Sequence, residues 1–206
     1  MQNNTYRLLT EKFNISKDVL DLINKSEDLV SDLFENLDDI MAYNQYKVLD
    51  AFQKNGIRDM HFSWNTGYGY DDAGRDATER VFADIFNTEA ALVRPIIVNG
   101  THALTLTLMG ILRPGDKLIY CTGAPYDTLE EVIGIRGKGK GSLKEYGVSY
   151  DQVELTCDGS IDFDALREAI DDDTKMVTLQ RATGYGWRKA ISIEEIEKWV
   201  EFVKSI

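Results

Sequence analysis

Residues Ser63–Gly100 read SWNTGYGYDDAGRDATERVFADIFNTEAALVRPIIVNG and run directly into THALTLTLMGILRPGD at 101–116. A Gly/Tyr/Asp/Arg loop is followed by a helix-period segment, an apolar run, and then Asn99-Gly100-Thr101 opening a second helix. A small-residue turn at a helix start leaves backbone N–H groups without acceptors, and these suit a phosphate. Leu112-Arg113-Pro114-Gly115-Asp116, a short apolar strand and Pro125-Tyr126-Asp127-Thr128 come next. In that order the chain offers an anion cradle, a strand and an aromatic platform, the parts a planar phosphorylated cofactor needs.

Outward from this stretch, the pattern alternates helix and strand. Asp76–Phe86 carries a helical period, with Ala77, Val81 and Ile85 on one face. Ala90–Val98 is apolar and β-branched enough for a buried strand, interrupted by Arg94-Pro95. Thr101–Leu112 reads as a helix, Lys117–Cys121 as a strand and Tyr126–Ile135 as a short helix. Asp162–Ile170 is a further helix, Lys175–Leu179 a strand, and Ser192–Val203 a helix that Ser192 and Glu195 cap reciprocally. Strands alternating with helices give an α/β fold with a mostly parallel sheet and helices on both faces.

Residues 1–56 are helical and set apart from the rest. Ser16 caps a helix, Val30, Leu33, Leu37, Met41, Val48 and Phe52 recur at helical spacing, and Phe34 and Leu49 widen the stripe. Gly56 stands where a helix C-terminus favours glycine. Two roles fit this arm equally: a solvated surface helix, or a surface that packs against a second subunit.

Composition excludes several classes. The 206 residues carry 35 acidic against 23 basic side chains, a formal charge of −12. A nucleic-acid or anionic-membrane binder needs a basic face instead. No apolar run has the length of a transmembrane span, the N-terminus lacks the apolar core of a signal peptide, and a cytoplasmic location is expected. Cys121 and Cys157 form no disulfide framework, Cys121 reads as a buried free thiol, and His61 and His102 have no metal-site partner at useful spacing. Arg136–Ser142, RGKGKGS, lacks the P-loop pattern and reads as a solvated turn. No GxGxxG follows a strand, which argues against a Rossmann-type nucleotide binder.

Taken together, TGYGYDDAGRD, VRPIIVNGTHA, LRPGD, GAPYDTLEEVIG, GSLKEYGVSY and TKMVTLQR cover nearly the whole chain from position 66 onward. In that order they closely resemble the aluminium-resistance-type proteins, pyridoxal 5'-phosphate (PLP) proteins related to the cystathionine and methionine lyases of the Cys/Met-metabolism group. The resemblance implies a fold-type I PLP-transferase large domain, a three-layer α/β/α arrangement, with a helical arm at 1–56 and the N-terminal portion of the large domain at 57–206. It also implies C–S lyase chemistry on a small amino-acid substrate and a homo-oligomer, dimer or tetramer.

The resemblance further implies roles for particular residues. Asn99, Gly100 and Thr101 would receive the cofactor phosphate, and Tyr126 would stack on its pyridine ring. Tyr68, Tyr70 and Arg75 resemble a loop that relatives lend to the phosphate of a neighbouring subunit. Each has a plainer alternative: a helix cap, a core tyrosine, and a local Asp71–Arg75 or Asp72–Arg75 contact. His102 sits beside the proposed phosphate, where a satisfied helix histidine is the plainer role. Arg181 ends a predicted strand, where ligands of open α/β sheets gather, but relatives commonly continue Gln-Arg-Ser-Arg-Gly-Tyr where this chain has Gln180-Arg181-Ala182-Thr183-Gly184-Tyr185, without the serine and the second arginine that would support a substrate role. In the family the Schiff-base lysine and the acid that pairs the pyridine nitrogen lie beyond the strand ending near Gln180. No lysine of this chain has a matching context. The expectation is an N-terminal half-enzyme with little or no lyase activity alone. The other reading is a non-catalytic fragment of the fold acting in binding or interaction.

Overall fold

The computed structural model describes residues 3–65, 68, 70 and 72–206. It falls into two compact units, 1–94 and 95–206.

The first unit is helical. A short α1 (Asn3–Glu11) precedes α2 (Lys17–Lys54), whose 38 residues span about 57 Å at the α-helical rise. Ser16 caps α2 by accepting from the Val19 N–H at 3.4 Å, and Gly56, at φ +60°, follows its end as the sequence predicts. The buried residues of α2 are Leu20 and Ala51, neither of them in the stripe, whose Leu33, Phe34, Leu37 and Met41 are exposed on their helix. A 3-10 turn at Asp59–Phe62 leads toward α3 (Ala73–Phe86). Asp72 caps α3 at the Arg75 N–H, 3.0 Å away, and Ala77 and Val81 form the buried face. Near the other end of α3, Asp84 accepts from Lys54 Nζ (2.7 Å) and Asn55 Nδ2 (2.6 Å), pinning the end of α2 to it.

The expected strand over 90–98 does not form: the segment is irregular. Pro95 has no N–H for a ladder, and the Val93 N–H goes to the Glu79 carboxylate at 2.9 Å rather than to a strand. Arg94 pairs with the same carboxylate at 2.9 Å.

The second unit holds the α/β pattern. Its elements are α4 (Gly100–Ile111), β1 (Lys117–Tyr120), α5 (Asp127–Ile133), β2 (Ser149–Gln152), α6 (Phe163–Ala169), β3 (Thr174–Thr178) and α7 (Ile193–Lys204). The three strands are parallel, in the order β2-β1-β3. Strand β2 is not legible in the sequence, because SYDQ is a polar, part-exposed edge with no apolar run.

Central β1 sorts the core by simple alternation. Leu118 and Tyr120 face one side, against Leu108 and Leu112 from α4 and Leu129 and Ile133 from α5. Ile119 and Cys121 face the other, against Leu166 of α6 and Trp199 and Phe202 of α7. Helices therefore cover both faces of a fully buried β1. Burial pushes the Cys121 thiol up to about 12, offset in part by the Trp199 indole.

The glycine-rich 136–142 segment is less free than its composition implies. Gly137, Gly139 and Gly141 take positive φ, but Ser142 and Leu143 are buried, and the Leu143 N–H bonds the Val132 carbonyl at 2.9 Å.

Candidate cofactor site

The chain leaves β1 for β2 on one side of the sheet, then crosses to β3 on the other. The crossover helices α5 and α6 accordingly pack on opposite faces. In such a sheet a crevice opens beyond the carboxyl end of the strand where direction reverses, and ligands of open α/β sheets bind there. Here that end is Tyr120, followed by Cys121-Thr122-Gly123-Ala124-Pro125-Tyr126.

Two helix N-termini meet at this edge. Asn99 caps α4 by accepting from the His102 N–H at 2.8 Å, so the Gly100 and Thr101 N–H groups have no intrahelical acceptor. A Cβ placed on Gly100 would meet nothing within 4 Å, so the helix start is open at that position. His102 turns back along the chain, its Nδ1 accepting from the Val98 N–H at 3.4 Å, as expected of a satisfied helix histidine. Tyr126 caps α5 with its backbone, and the hydroxyls of Thr101 and Thr128 lie 2.8 Å apart. One hydrogen bond thus joins the first turns of α4 and α5, bringing Asn99, Gly100 and Thr101 to the same edge as Tyr126. The aligned peptide dipoles of α4 add an electrostatic preference for an anion there.

Tyr126 is not the core tyrosine of the plainer alternative, since 37% of it is exposed. Its N–H donates to Gln180 Oε1 at 3.0 Å, and its ring lies 6.2 Å, centroid to centroid, from that of Tyr185. Gln180 follows β3 and is itself held by the Thr122 hydroxyl, which accepts its N–H at 3.1 Å. The loop after Gln180 therefore sits at the same edge as Tyr126.

Tyr68, Tyr70 and Arg75 belong to the other unit. Tyr68 and Tyr70 are 82% and 84% exposed. Arg75 makes the local contact, its Nε 3.3 Å from Asp72 Oδ2. Asp71, the other local partner considered, lies outside the described residues, as do Thr66, Gly67 and Gly69 of the same loop.

Among the described residues no group of three or more His, Cys, Asp or Glu side chains is placed to hold a metal ion. No helix among them is long and apolar enough to cross a membrane.

Comparison with known proteins gives this geometry a context. The chain is 47% identical to YnbB of Bacillus subtilis strain 168 over 178 residues, which is 86% of this chain and 42% of that protein. It superposes on a carbon-sulfur lyase involved in aluminum resistance from Clostridium novyi NT with a TM-score of 0.90 at 45% identity, over 100% of this chain and 49% of that one. A Listeria innocua structure named for cystathionine beta-lyase and aluminum resistance matches at a TM-score of 0.89 and 51% identity, over 93% of this chain and 47% of its own. The chain thus spans less than half the length of these relatives. The sequence profile of the methionine gamma-lyase family matches residues 19–206, and the chain belongs to that family.

Proposed function

We propose that residues 57–206 form the N-terminal portion of a fold-type I PLP large domain, and that the protein acts in carbon–sulfur lyase chemistry of the cystathionine and methionine type. One observation carries the reading: the N-termini of α4 and α5 and the exposed ring of Tyr126 converge at the carboxyl edge of β1, where the sheet changes direction. The residues fit the group. A phosphate has an open helix start and two free N–H donors at Gly100 and Thr101, and a pyridine ring has an aromatic face at Tyr126.

When bound, PLP supplies an electron sink for the carbon next to the substrate's amino group, which lets a C–S bond break. This chain's residues would do the holding. Gly100 and Thr101 donate to the phosphate, the Thr101 and Thr128 hydroxyls line its rim, and Tyr126 covers one ring face against water. Tyr68, Tyr70 and Arg75 are proposed as phosphate contacts lent to a neighbouring subunit, with the exposed apolar stripe of α2 as the surface that seats it. Lys117 and Lys175 are at the amino ends of β1 and β3, the sheet end opposite Tyr126, and Lys117 Nζ is engaged there by the Ala169 carbonyl (2.7 Å) and Asp171 (3.0 Å).

The test is a titration of PLP against pyridoxal, which has the same ring without the phosphate. PLP is expected to bind at least about tenfold more tightly, the equivalent of one charge-assisted contact set. Equal affinities would remove the phosphate cradle and this reading with it.

A further inference from the structure

The loop between β3 and α7 touches Tyr126 at three heights. At the backbone, Gln180 Oε1 accepts the Tyr126 N–H at 3.0 Å. At the ring, Gly184 runs alongside so closely that an added Cβ would lie 3.7 and 3.8 Å from Tyr126 Cδ2 and Cε2. At the tip, the Tyr126 hydroxyl is 3.4 Å from the Tyr185 hydroxyl, and the two rings are inclined by 29°.

This loop is itself fastened. Arg188 Nη2 donates to the carbonyls of Gln180 (2.9 Å) and Ala182 (2.8 Å), while Nη1 donates to Lys189 (2.9 Å). Gln180 Nε2 reaches the Ala182 carbonyl at 3.2 Å, and the Gly186 N–H closes a turn on Thr183 at 3.0 Å. Gly184 takes φ +58°, a left-handed conformation that costs glycine little and other residues more. Arg188 thus uses both terminal nitrogens of its planar guanidinium to hold three carbonyls, a geometry that an ammonium does not reproduce.

We propose that residues 180–188 are a brace for Tyr126, with Gln180 and Tyr185 as positioning residues and Arg188 as the fastening of the brace. The proposal rests on the reading of Tyr126 as the cofactor platform, and it assigns the loop a role other than substrate binding. An exposed aromatic ring with no support sweeps several rotamers, and ordering it on ligand binding costs affinity; a ring already held avoids that cost. The hydrogen bond to Tyr185 also holds the pKa of the Tyr126 hydroxyl above its ordinary value, so its acidity reports on the brace.

The experiment uses the 206-residue chain labelled with 3-fluorotyrosine, the Tyr126 fluorine signal being assigned by its loss in Tyr126→Phe. In Tyr185→Phe the Tyr126 signal is expected to shift and its ionisation midpoint to fall. In Arg188→Lys, which keeps the charge and loses the fork, the signal is expected to broaden as the ring samples more positions. Gln180→Glu keeps an acceptor for the Tyr126 N–H and should restore most of the signal that Gln180→Ala loses. PLP affinity is expected to fall about threefold to tenfold in Tyr185→Phe, the range of one lost hydrogen bond. An unchanged Tyr126 signal and midpoint in both Tyr185→Phe and Arg188→Lys, with circular dichroism showing the fold intact, overturns the brace. If the signal responds as described while no form of the chain binds PLP, the brace stands and the cofactor reading fails.

Discussion

The Oγ1 atoms of Thr101 and Thr128 lie 2.8 Å apart, so the first turn of α4 is tied directly to the first turn of α5. The two residues are 27 positions apart and separated by a whole helix and a strand. Their contact brings the capped N-terminus of α4 and the ring of Tyr126 to one rim. Neither element alone would be more than a capped helix.

Thr101→Val removes that tie at nearly constant volume. The expected result is a loss of about fivefold in PLP affinity, the scale of one net hydrogen bond, with pyridoxal affinity little changed. Calorimetric titration with both ligands distinguishes this from general damage, which would weaken the two alike.

Gly134 ends α5 at φ +98°, and a Cβ there would stand 2.6 Å from Ser142 Oγ and 2.9 Å from Lys144 Cβ. Gly115 has the same φ of +98° with nothing within 4 Å. Gly115→Ala should therefore cost only backbone strain, about 1 kcal/mol, and Gly134→Ala strain plus overlap, about 3 kcal/mol or more. Urea unfolding of the two variants measures the difference. Equal losses would mean that the Ser142 turn yields freely.

The thiol of buried Cys121 is raised from 9.0 to about 12 by desolvation, and burial also raises Tyr120 and Tyr150. Below pH 9 the thiol is protonated in both folded and unfolded chains and its contribution to stability is complete. Between 9 and about 12 the unfolded chain loses the proton and the folded chain keeps it, so stability falls as pH rises. Denaturation at pH 8 and pH 10.5 should show the fall, and Cys121→Ala should make it shallower. Thiol labelling at pH 8 is expected to modify exposed Cys157 readily and Cys121 only after unfolding.

Borohydride reduction after incubation with PLP tests the lysine inventory. No single lysine of this chain is expected to carry a stoichiometric adduct by peptide mass mapping, because none stands in a Schiff-base context and Lys117 is engaged at the opposite sheet end. One lysine labelled to completion would place a covalent site within residues 1–206.

How much the sequence disclosed follows from what each signal depends on. Capping is local chemistry, so Ser16, Asn99, Ser192 and Glu195 marked real helix starts. Strand β1 was legible because both of its faces are buried and its residues are uniformly apolar or aromatic after Lys117. Strand β2 was not, since an edge strand earns its place through a neighbour's backbone and not through its own side chains. The run 90–98 misled for the converse reason: its apolar residues look like a strand, but Pro95 and the Glu79 carboxylate take away the ladder. Of the proposed site, the motif and the resemblance single out Asn99, Gly100, Thr101 and Tyr126, which the structure brings to one edge. The hold of Gln180, Gly184 and Tyr185 on Tyr126 was not legible, because it joins positions more than 50 residues apart in the chain.

The central claim is that a phosphate seats on the first turn of α4 with its ring against Tyr126. Backbone amide NMR of the labelled chain during PLP addition tests this most directly. Saturable shifts are expected to concentrate at the Gly100, Thr101 and His102 amides and at Tyr126, with pyridoxal moving only the last. Shifts that spare Gly100 and Thr101, or that cluster elsewhere on the chain, would contradict it.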